Sequence, residues 1–374
     1  MTSYRHGGPR ELSTLLPSLA GLLAGAAFAV GVLTADGAAA AGQRFDGVTL
    51  TVGTFGGSWK DRINGYIGAK FEALGGEILY VSGNPRILLS KLVAARGQEA
   101  PFDVVEIVDS TWPDTLKGGF VQKLNLDNIP NTKDLDPNMY DEYKVANWIT
   151  EEGFIYHIEK FKELGIAKPT TFSELMNPKL KGRVSFPDIN VNTALNPIVG
   201  FAADNGGDEN NIDPGLKAIK ELDVFAFWNS GTQITQMFQS GDIWVAIAHA
   251  GWGVRLHDAG IKVGMVHPQV KDRVGMASRG YAGVVNGTKN AEAAEFYINL
   301  LVSEEMQEIL HTKNGVVPTN RKVQVKYADQ PKLDANGAPF LLLSPEQIGN
   351  LYYIDWSNFN MSEWTDKWNR MVAQ

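Results

Sequence analysis

Short apolar segments near the start of the chain alternate with stretches that begin with helix-capping residues. The apolar segments are typical of buried strands, and the stretches between them are typical of helices. The strands are expected at 48–53, 77–81 and 102–108, with helices at about 58–74 and 84–96. Strands and helices that alternate at this spacing predict a parallel sheet with helices on its faces.

The alternation of predicted strands and helices is interrupted between 125 and 138, where Asn, Asp and Pro dominate. It continues after this segment. Two strand-like stretches come first, and a second α/β unit follows them. Strands are expected at 143–148, 153–157, 183–186, 224–227, 243–248, 263–266 and 280–285, and helices at 291–301, at 304–312 and near the C-terminus. The strand at 280–285 would return the chain to the first unit.

The first 41 residues have the order of charged, apolar and small residues that is typical of a secretory signal. Arg5 and Arg10 precede an apolar run over 15–33, and Ala fills positions 38–41. An uncleaved membrane anchor is the alternative, because the run is nearly long enough to span a bilayer. The Gly and Ala content of the run and its poly-Ala end favour cleavage, so we expect a signal peptide at 1–41.

Length and composition narrow the class of protein further. Removing 41 of the 374 residues leaves 333. A chain of that length is longer than a domain with a single hydrophobic core usually is, so two lobes are expected. The chain has no Cys, which excludes disulfides and a lipid-modified Cys at the mature N-terminus. Its net charge of −8 makes nucleic acid and anionic membrane surfaces poor candidates for partners.

Five predicted strands end in loops that combine small or hydroxyl residues with an aromatic or acidic residue. Ligands of parallel α/β sheets bind beyond the carboxyl ends of the strands. A single such loop is more simply explained as a helix cap beside a buried Trp. Five of them at one end of the sheets predict a pocket that stacks a small ligand between rings. The ligand-binding residues expected in these loops are Thr54, Phe55, Gly57, Ser58, Trp59, Ser110, Thr111, Trp112, Asp188, Asn190, Asn192, Thr193, Trp228, Ser230 and Trp252.

Motifs for catalysis or metal binding are weak in this sequence. It lacks the Gly-x-Ser-x-Gly elbow, the phosphate-binding loop and the His-Glu-x-x-His motif. The six His are scattered, so His249 is interpreted as structural. The acidic stretch 208–215 does not have calcium-loop spacing. Tyr352 and Tyr353 could ligate ferric iron, but without an evident partner they are interpreted as packing. No catalytic residue, cofactor or metal site is predicted.

Several segments together resemble a known family over essentially the whole mature chain. They are TVGTFGGSW at 51–59, PTTFSEL at 169–175, PKLKG at 178–182, FQSGD at 238–242 and NGVVPTN at 314–320. In these segments the chain resembles the extracellular solute-binding proteins of bacterial ABC importers, in the spermidine/putrescine-binding branch. The resemblance implies a periplasmic, monomeric protein that delivers a small-molecule solute to a membrane ABC permease.

The resemblance also implies an architecture, the two-lobed periplasmic-binding-protein-like α/β fold of type II. Each lobe would be a mostly parallel sheet flanked by helices, with the ligand cleft between the lobes. Lobe 1 is expected at 46–150 plus 283–320, lobe 2 at 151–282, and C-terminal helices at 321–374 that pack across both lobes. Two or three crossovers would join the lobes, which close on one ligand.

The chain departs from polyamine binders of the family at two charged positions. Those proteins are expected to carry paired carboxylates in the loop after a second-lobe strand, where this chain has only Asp188. Near the return crossover, where an acid is expected, it has Arg279 followed by Tyr281, and we add both to the expected ligand-binding residues. Asp188 would meet an ammonium, and Arg279 could hold a carboxylate. A linear diamine and an amino-acid-like zwitterion both stay open, as does a plain salt bridge for Arg279.

Two further functions remain as alternatives on the sequence alone. One is an exported two-lobed enzyme that acts in the same cleft, which would need a base with an oriented partner. The other is a ferric-ion-binding protein, which would need several Tyr or acidic ligands that converge in the cleft.

Overall fold

The computed structural model describes residues 43–373, so the predicted signal peptide lies outside the described residues. Helices surround a mixed β-sheet, which confirms the predicted α/β class. The strands are β1 (Thr49–Thr54), β2 (Glu77–Ser82), β3 (Val104–Val108), β4 (Val145–His157), β5 (Val184–Pro187), β6 (Ala226–Trp228), β7 (Val245–His249), β8 (Val263–Val266), β9 (Gln269–Val270), β10 (Arg273–Val274), β11 (Met276–Val284) and β12 (Tyr352–Tyr353).

The helices follow the predicted alternation, with several short additions in the loops. The α-helices are α1 (Ser58–Ile63), α2 (Ala69–Glu72), α3 (Pro85–Ala94), α4 (Trp112–Lys117), α5 (Ile158–Leu164), α6 (Leu195–Asp204), α7 (Asp213–Glu221), α8 (Gly231–Ser240), α9 (Ala250–Asp258), α10 (Ala291–Leu301), α11 (Glu304–Asn314), α12 (Arg321–Ala328), α13 (Pro345–Gly349) and α14 (Met361–Met371). A π-helical stretch, Asn64–Gly68, joins α1 to α2, where the sequence predicted one continuous helix. None of the described helices is both long enough and apolar enough to cross a bilayer.

Two groups of parallel strands are joined by two longer strands that run through the middle of the sheet. Strands β2, β1 and β3 form the first group, and β7, β5 and β6 form the second. Between them, β11 pairs antiparallel with β3 and β4, and β4 pairs antiparallel with β7. The sequence predicted two separate sheets. The hydrogen-bonded path is continuous because β11 pairs with β3 of the first group, β4 pairs with β7 of the second, and β4 and β11 pair with each other. The predicted lobe boundaries stay a prediction.

Strand β4 differs from the sequence prediction, which placed a break between two short strands at 149–152. Glu151 and Glu152 lie within that predicted break. Instead both pair with β11 at their backbones, and their side chains are buried. The Glu151 carboxylate lies 2.7 Å from Nε2 of His267 and accepts the backbone N–H of Leu342. Buried polar groups with partners do not interrupt a strand.

The C-terminal segment packs on the second group of strands. Trp368 on α14 packs against Phe186 of β5 and Phe227 of β6, with ring centroids 5.7 and 5.2 Å apart. Tyr352 and Tyr353, which the sequence left as packing, form β12 beside the start of β11. The Trp-rich C-terminal helix expected from the sequence is present as α14, and it covers apolar surface of this group.

Gln307 on α11 links this helix to the long strand β4. Its side-chain N–H groups donate to the carbonyls of Asn147 (2.7 Å) and Leu301 (2.8 Å). Its side-chain oxygen accepts the backbone N–H of Thr319 at 2.7 Å. The residue is 1% exposed, so each of these groups depends on Gln307 rather than on water.

We expect Gln307→Ala to lower the free energy of unfolding by about 2–4 kcal/mol, because each buried polar group left without a partner costs about 1–3 kcal/mol. Urea unfolding followed by circular dichroism measures the change. The control is Lys313→Ala, an exposed position on the same helix, for which a change within about 0.5 kcal/mol is expected. Equal unfolding midpoints for the two variants would show that the Gln307 bonds contribute nothing.

Candidate functional site

Two adjoining cavities lie at the carboxyl ends of β1, β3 and β7. The first, which we call the acidic cavity, has a volume of about 200 Å³, and the second, the Arg255 cavity, about 260 Å³. They share the lining residues Phe55, Trp148, Thr150 and His249. Together they form one cleft, placed where ligands of parallel α/β sheets bind.

Three aromatic rings form one wall of the cleft. Phe55, Trp59 and Trp148 lie edge to face, with centroids 6.0–6.1 Å apart. The Trp148 ring lies directly over Gly280 of β11, where a Cβ atom would be 2.0 Å from the ring. Only glycine at position 280 leaves room for this ring position.

A buried carboxyl group beneath the rings holds Trp59 in place. Glu106 of β3 accepts hydrogen bonds from Nε1 of Trp59 (3.3 Å), Nδ2 of Asn147 (2.9 Å) and the hydroxyl of Tyr297 (2.9 Å). Burial raises the pKa of Glu106, and the donated hydrogen bonds oppose that rise. Glu106 therefore positions the ring wall from behind.

Two acidic side chains line the acidic cavity, Asp109 after β3 and Glu152 in β4. Asp109 accepts the backbone N–H groups of Ser110 (2.8 Å) and Arg279 (3.1 Å), and desolvation raises its pKa to about 6. Glu152 is 3% exposed, and its Oε2 has no hydrogen-bond partner among residues 43–373. Burial and, secondarily, the charge of Asp109 raise the pKa of Glu152 well above its usual range. An ammonium group between the two would stabilise both carboxylates.

The opposite end of the cleft is cationic. The guanidinium of Arg255, on α9, lines the Arg255 cavity and donates to the carbonyl of Asn314 at 3.1 Å. It also lies 4.3 Å from the ring centroid of Trp252. His249 stands between the two ends, and desolvation lowers its pKa to about 3, so it is neutral near pH 7. The cleft therefore runs from two acids to one cation.

Some of the residues predicted from the sequence lie together in this cleft. Phe55, Ser110, Asn192 and Thr193 line the acidic cavity, and Phe55, Ser58 and Trp59 line the Arg255 cavity. A third cavity is lined by Trp112, Arg279 and Tyr281. The remaining predicted residues do not line any of these three cavities: Thr54, Gly57, Thr111, Asp188, Asn190, Trp228, Ser230 and Trp252. Contact with a ligand stays a prediction for all of them.

Local packing explains why several predicted residues are directed elsewhere. Trp228 is 2% exposed, and its Nε1 donates to the carbonyl of Ile247 at 3.1 Å, as in a core residue. The Asp188 carboxylate accepts both the backbone N–H and the side-chain N–H of Asn190, at 2.9 and 2.8 Å. Ser230 caps α8 by accepting the backbone N–H of Gln233. These side chains stabilise their own loops or the core.

Other residues that line the cleft were not predicted from the sequence. They are Gly56, Val108, Asp109, Trp148, Thr150, Glu152, Asn196, His249, Arg255, Ser278, Asn314, Val316 and Trp356. From the sequence, His249 is interpreted as structural. Asp109 directly precedes the predicted residues Ser110, Thr111 and Trp112 but is not itself predicted as a ligand contact. Trp148, Thr150 and Glu152 alternate along β4, so they share one face of the strand. This alternation in the sequence could have identified the three residues as one face of a strand. The predicted break at 149–152 divided the strand, so the alternation was missed.

The chain matches a protein-family model over residues 69–335, that of the bacterial extracellular solute-binding proteins. The chain belongs to this family. No curated protein sequence matches the chain. Among solved structures, an ABC transporter from Clostridium perfringens has 22% sequence identity and a TM-score of 0.70, and the match covers 86% of this chain and 99% of that one.

Two other similar structures are named for solutes. A GABA receptor is 20% identical with a TM-score of 0.67, covering 86% of this chain and 96% of that one. A protein named for spermidine/putrescine ABC transport, from Listeria monocytogenes, is 18% identical with a TM-score of 0.67, covering 86% and 98%. These likenesses show the fold, and the predicted two-lobed fold of periplasmic binding proteins is confirmed. The family makes the chain an extracellular solute-binding protein.

We expect Gly280→Ala to displace the Trp148 ring, because the added methyl group would overlap it. The near-ultraviolet circular dichroism of the tryptophans should change, and stability should fall by about 1–3 kcal/mol, the usual effect of overpacking. Thermal unfolding of the same sample measures the second effect.

The matched control is Gly349→Ala at the end of α13, where a Cβ atom meets nothing within 4 Å. Its spectrum and melting temperature should equal those of the wild type. If Gly280→Ala behaved like this control, Trp148 would not depend on the glycine.

Proposed function

We propose that the protein is the periplasmic component of an ABC importer and captures a small amine-bearing organic solute in the cleft. The observation that carries this proposal is the pair of acids, Asp109 and Glu152, that lines one cavity beside Phe55, Trp148 and Trp356. The solute would then pass to a membrane permease. Solute binding and delivery in general follow from the family.

The acidic cavity has the chemistry that selects an ammonium group. A buried carboxylate without a partner is unfavourable, and a bound cation removes that penalty. An ammonium next to an aromatic ring gains roughly 0.5–2 kcal/mol in addition, depending on how far it is desolvated. Glu152 has no other evident role, since among the described residues nothing donates to its Oε2.

The cation at the other end favours a zwitterion over a diamine. An ammonium at Asp109 and Glu152 leaves the second end of a solute near Arg255, which would repel another ammonium and attract a carboxylate. We therefore assign the amine to Asp109 and Glu152 and the carboxylate to Arg255. From the sequence we had given these roles to Asp188 and Arg279. Similar structures are named for both solute classes, so they do not decide between them.

Lobe closure would bring the two sides of the cleft onto the solute. With lobe 1 at 46–150 plus 283–320 and lobe 2 at 151–282, Phe55 and Ser110 lie on one side, and Asn192 and His249 lie on the other. Strands β4 and β11 would act as the hinge, since their pairing with each other connects the two strand groups.

Glu152→Gln should weaken binding of both 4-aminobutanoate and putrescine by at least about tenfold, because it removes one of the two negative charges. Arg255→Gln should weaken only 4-aminobutanoate. Isothermal titration calorimetry measures both effects. The control is Glu77→Gln at an exposed position of β2, which should leave both affinities unchanged.

The melting temperature of Glu152→Gln separates a binding role from a structural one. Since burial disfavours the charged form of Glu152, the unliganded variant should melt at the wild-type temperature or above it. If wild-type protein bound neither amine, and a thermal-shift screen responded only to sugar phosphates or metal salts, the proposed function would be wrong.

The pH dependence of amine binding follows from Asp109. Its pKa is raised to about 6, so its negative charge is present at pH 7.5 and lost as the pH falls through 6. We expect amine affinity to fall between pH 7.5 and pH 5, while Asp109→Asn should bind more weakly and show a shallower fall, whose remainder comes from protonation of Glu152. Calorimetry at four pH values tests this, and a flat wild-type profile would show that Asp109 does not face the ammonium.

A further inference from the structure

A third cavity, of about 360 Å³, lies beside the acidic cavity on the other side of Asp109. We call it the β11 cavity, because Arg279 and Tyr281 of β11 line it. Its other walls come from the start of α4, from the residue before β4 and from the segment that follows β12. The side chains that carry the argument are Trp112, Lys144, Arg279, Tyr281 and Tyr353.

Arg279 is a cation without an acidic partner in this cavity. Its guanidinium lies 3.7 Å from the ring centroid of Tyr353, so it is held by stacking. Its Nε has no hydrogen-bond partner within residues 43–373, and no carboxylate of the described chain lies within 4.0 Å of its nitrogens. The Nε of this guanidinium is therefore a donor that the described residues leave unpaired.

A second cation and a buried N–H donor line the same cavity. Nζ of Lys144 lies 4.4 Å from the ring centroid of Tyr281 and 3.6 Å from the carboxylate of Asp141. Trp112 is 4% exposed, and its Nε1 has no acceptor in the described part of the chain. A buried N–H group without an acceptor is unfavourable, so an acceptor supplied from outside would stabilise it.

We propose that the β11 cavity is a second binding site, for a small organic monocarboxylate. Its carboxylate would meet Arg279 and Lys144, and its apolar part would lie among the rings of Trp112, Tyr281 and Tyr353. The planar fork of a guanidinium matches a carboxylate, and aromatic walls favour an organic group over a hydrated inorganic ion.

The charge of the cavity limits the ligand to one negative charge. Three cations line it, Lys117, Lys144 and Arg279, and so do three acids, Asp109, Asp141 and Asp355. The net charge of the lining side chains is therefore near zero. A phosphate or a dicarboxylate would be repelled by the three acids. A single negative charge placed at Arg279, which stacks on Tyr353 and has no carboxylate of the described chain within 4.0 Å, avoids that repulsion.

The test uses sodium benzoate as the probe, in isothermal titration calorimetry with ligand-free protein. Benzoate should bind wild type, and Arg279→Gln should weaken binding by at least about tenfold. Lys144→Gln, which removes the second cation, should weaken it several-fold. The matched control is Arg370→Gln on the exposed face of α14, which should bind as wild type does. Far-ultraviolet circular dichroism shows that each variant is folded.

Arg255→Gln separates this cavity from the cleft. Because Arg255 lines the cleft and Arg279 lines the β11 cavity, benzoate affinity should be unchanged in Arg255→Gln. If Arg255→Gln lost benzoate while Arg279→Gln and Lys144→Gln kept it, the carboxylate would bind in the cleft and the proposal would be wrong. An absence of benzoate binding to folded wild type would overturn it as well.

Discussion

The pairing of β4 with β11 determines the geometry of the cleft. In this register Trp148 lies opposite Gly280, and Ile149 lies opposite Arg279. Because side chains alternate along a strand, Trp148, Thr150 and Glu152 share one face and line the cleft. A slip of one residue would turn all three to the other face and would place a ring over a residue with a side chain. The register is therefore set by the same glycine that admits the ring.

Three buried or partly buried acids show how differently the protein treats carboxyl groups near the cleft. Glu106 receives three side-chain hydrogen bonds, and Asp109 receives two from the backbone. Glu152 receives none at Oε2 from any described residue. The number of hydrogen bonds that each acid receives follows its place in the cleft. Glu106, with the most donors, supports the ring wall from behind, and Glu152, with the fewest, faces the cavity. An incompletely satisfied polar group in a cavity is typical of a binding site.

The sequence predicted the fold better than the site. Strand and helix alternation, together with segments such as TVGTFGGSW, was enough for the fold class and the family. Phe55, Ser58 and Ser110 could be placed near the cleft because each closely follows a strand. Trp228 is the last residue of β6, yet its ring is buried and its Nε1 donates to the carbonyl of Ile247 in β7. Because that partner belongs to another strand, no local pattern reveals the contact.

The position of β11 in the sheet has a consequence for the order in which the chain can fold. Strand β3 pairs with β1 on one side and with β11 on the other. In the sequence, β11 comes much closer to the C-terminus than either of them. While the polypeptide is synthesised from its N-terminus, β3 keeps an unpaired edge until residues 276–284 have emerged. Contacts between residues so far apart form slowly. The first group of strands therefore cannot be completed until β11 has been synthesised.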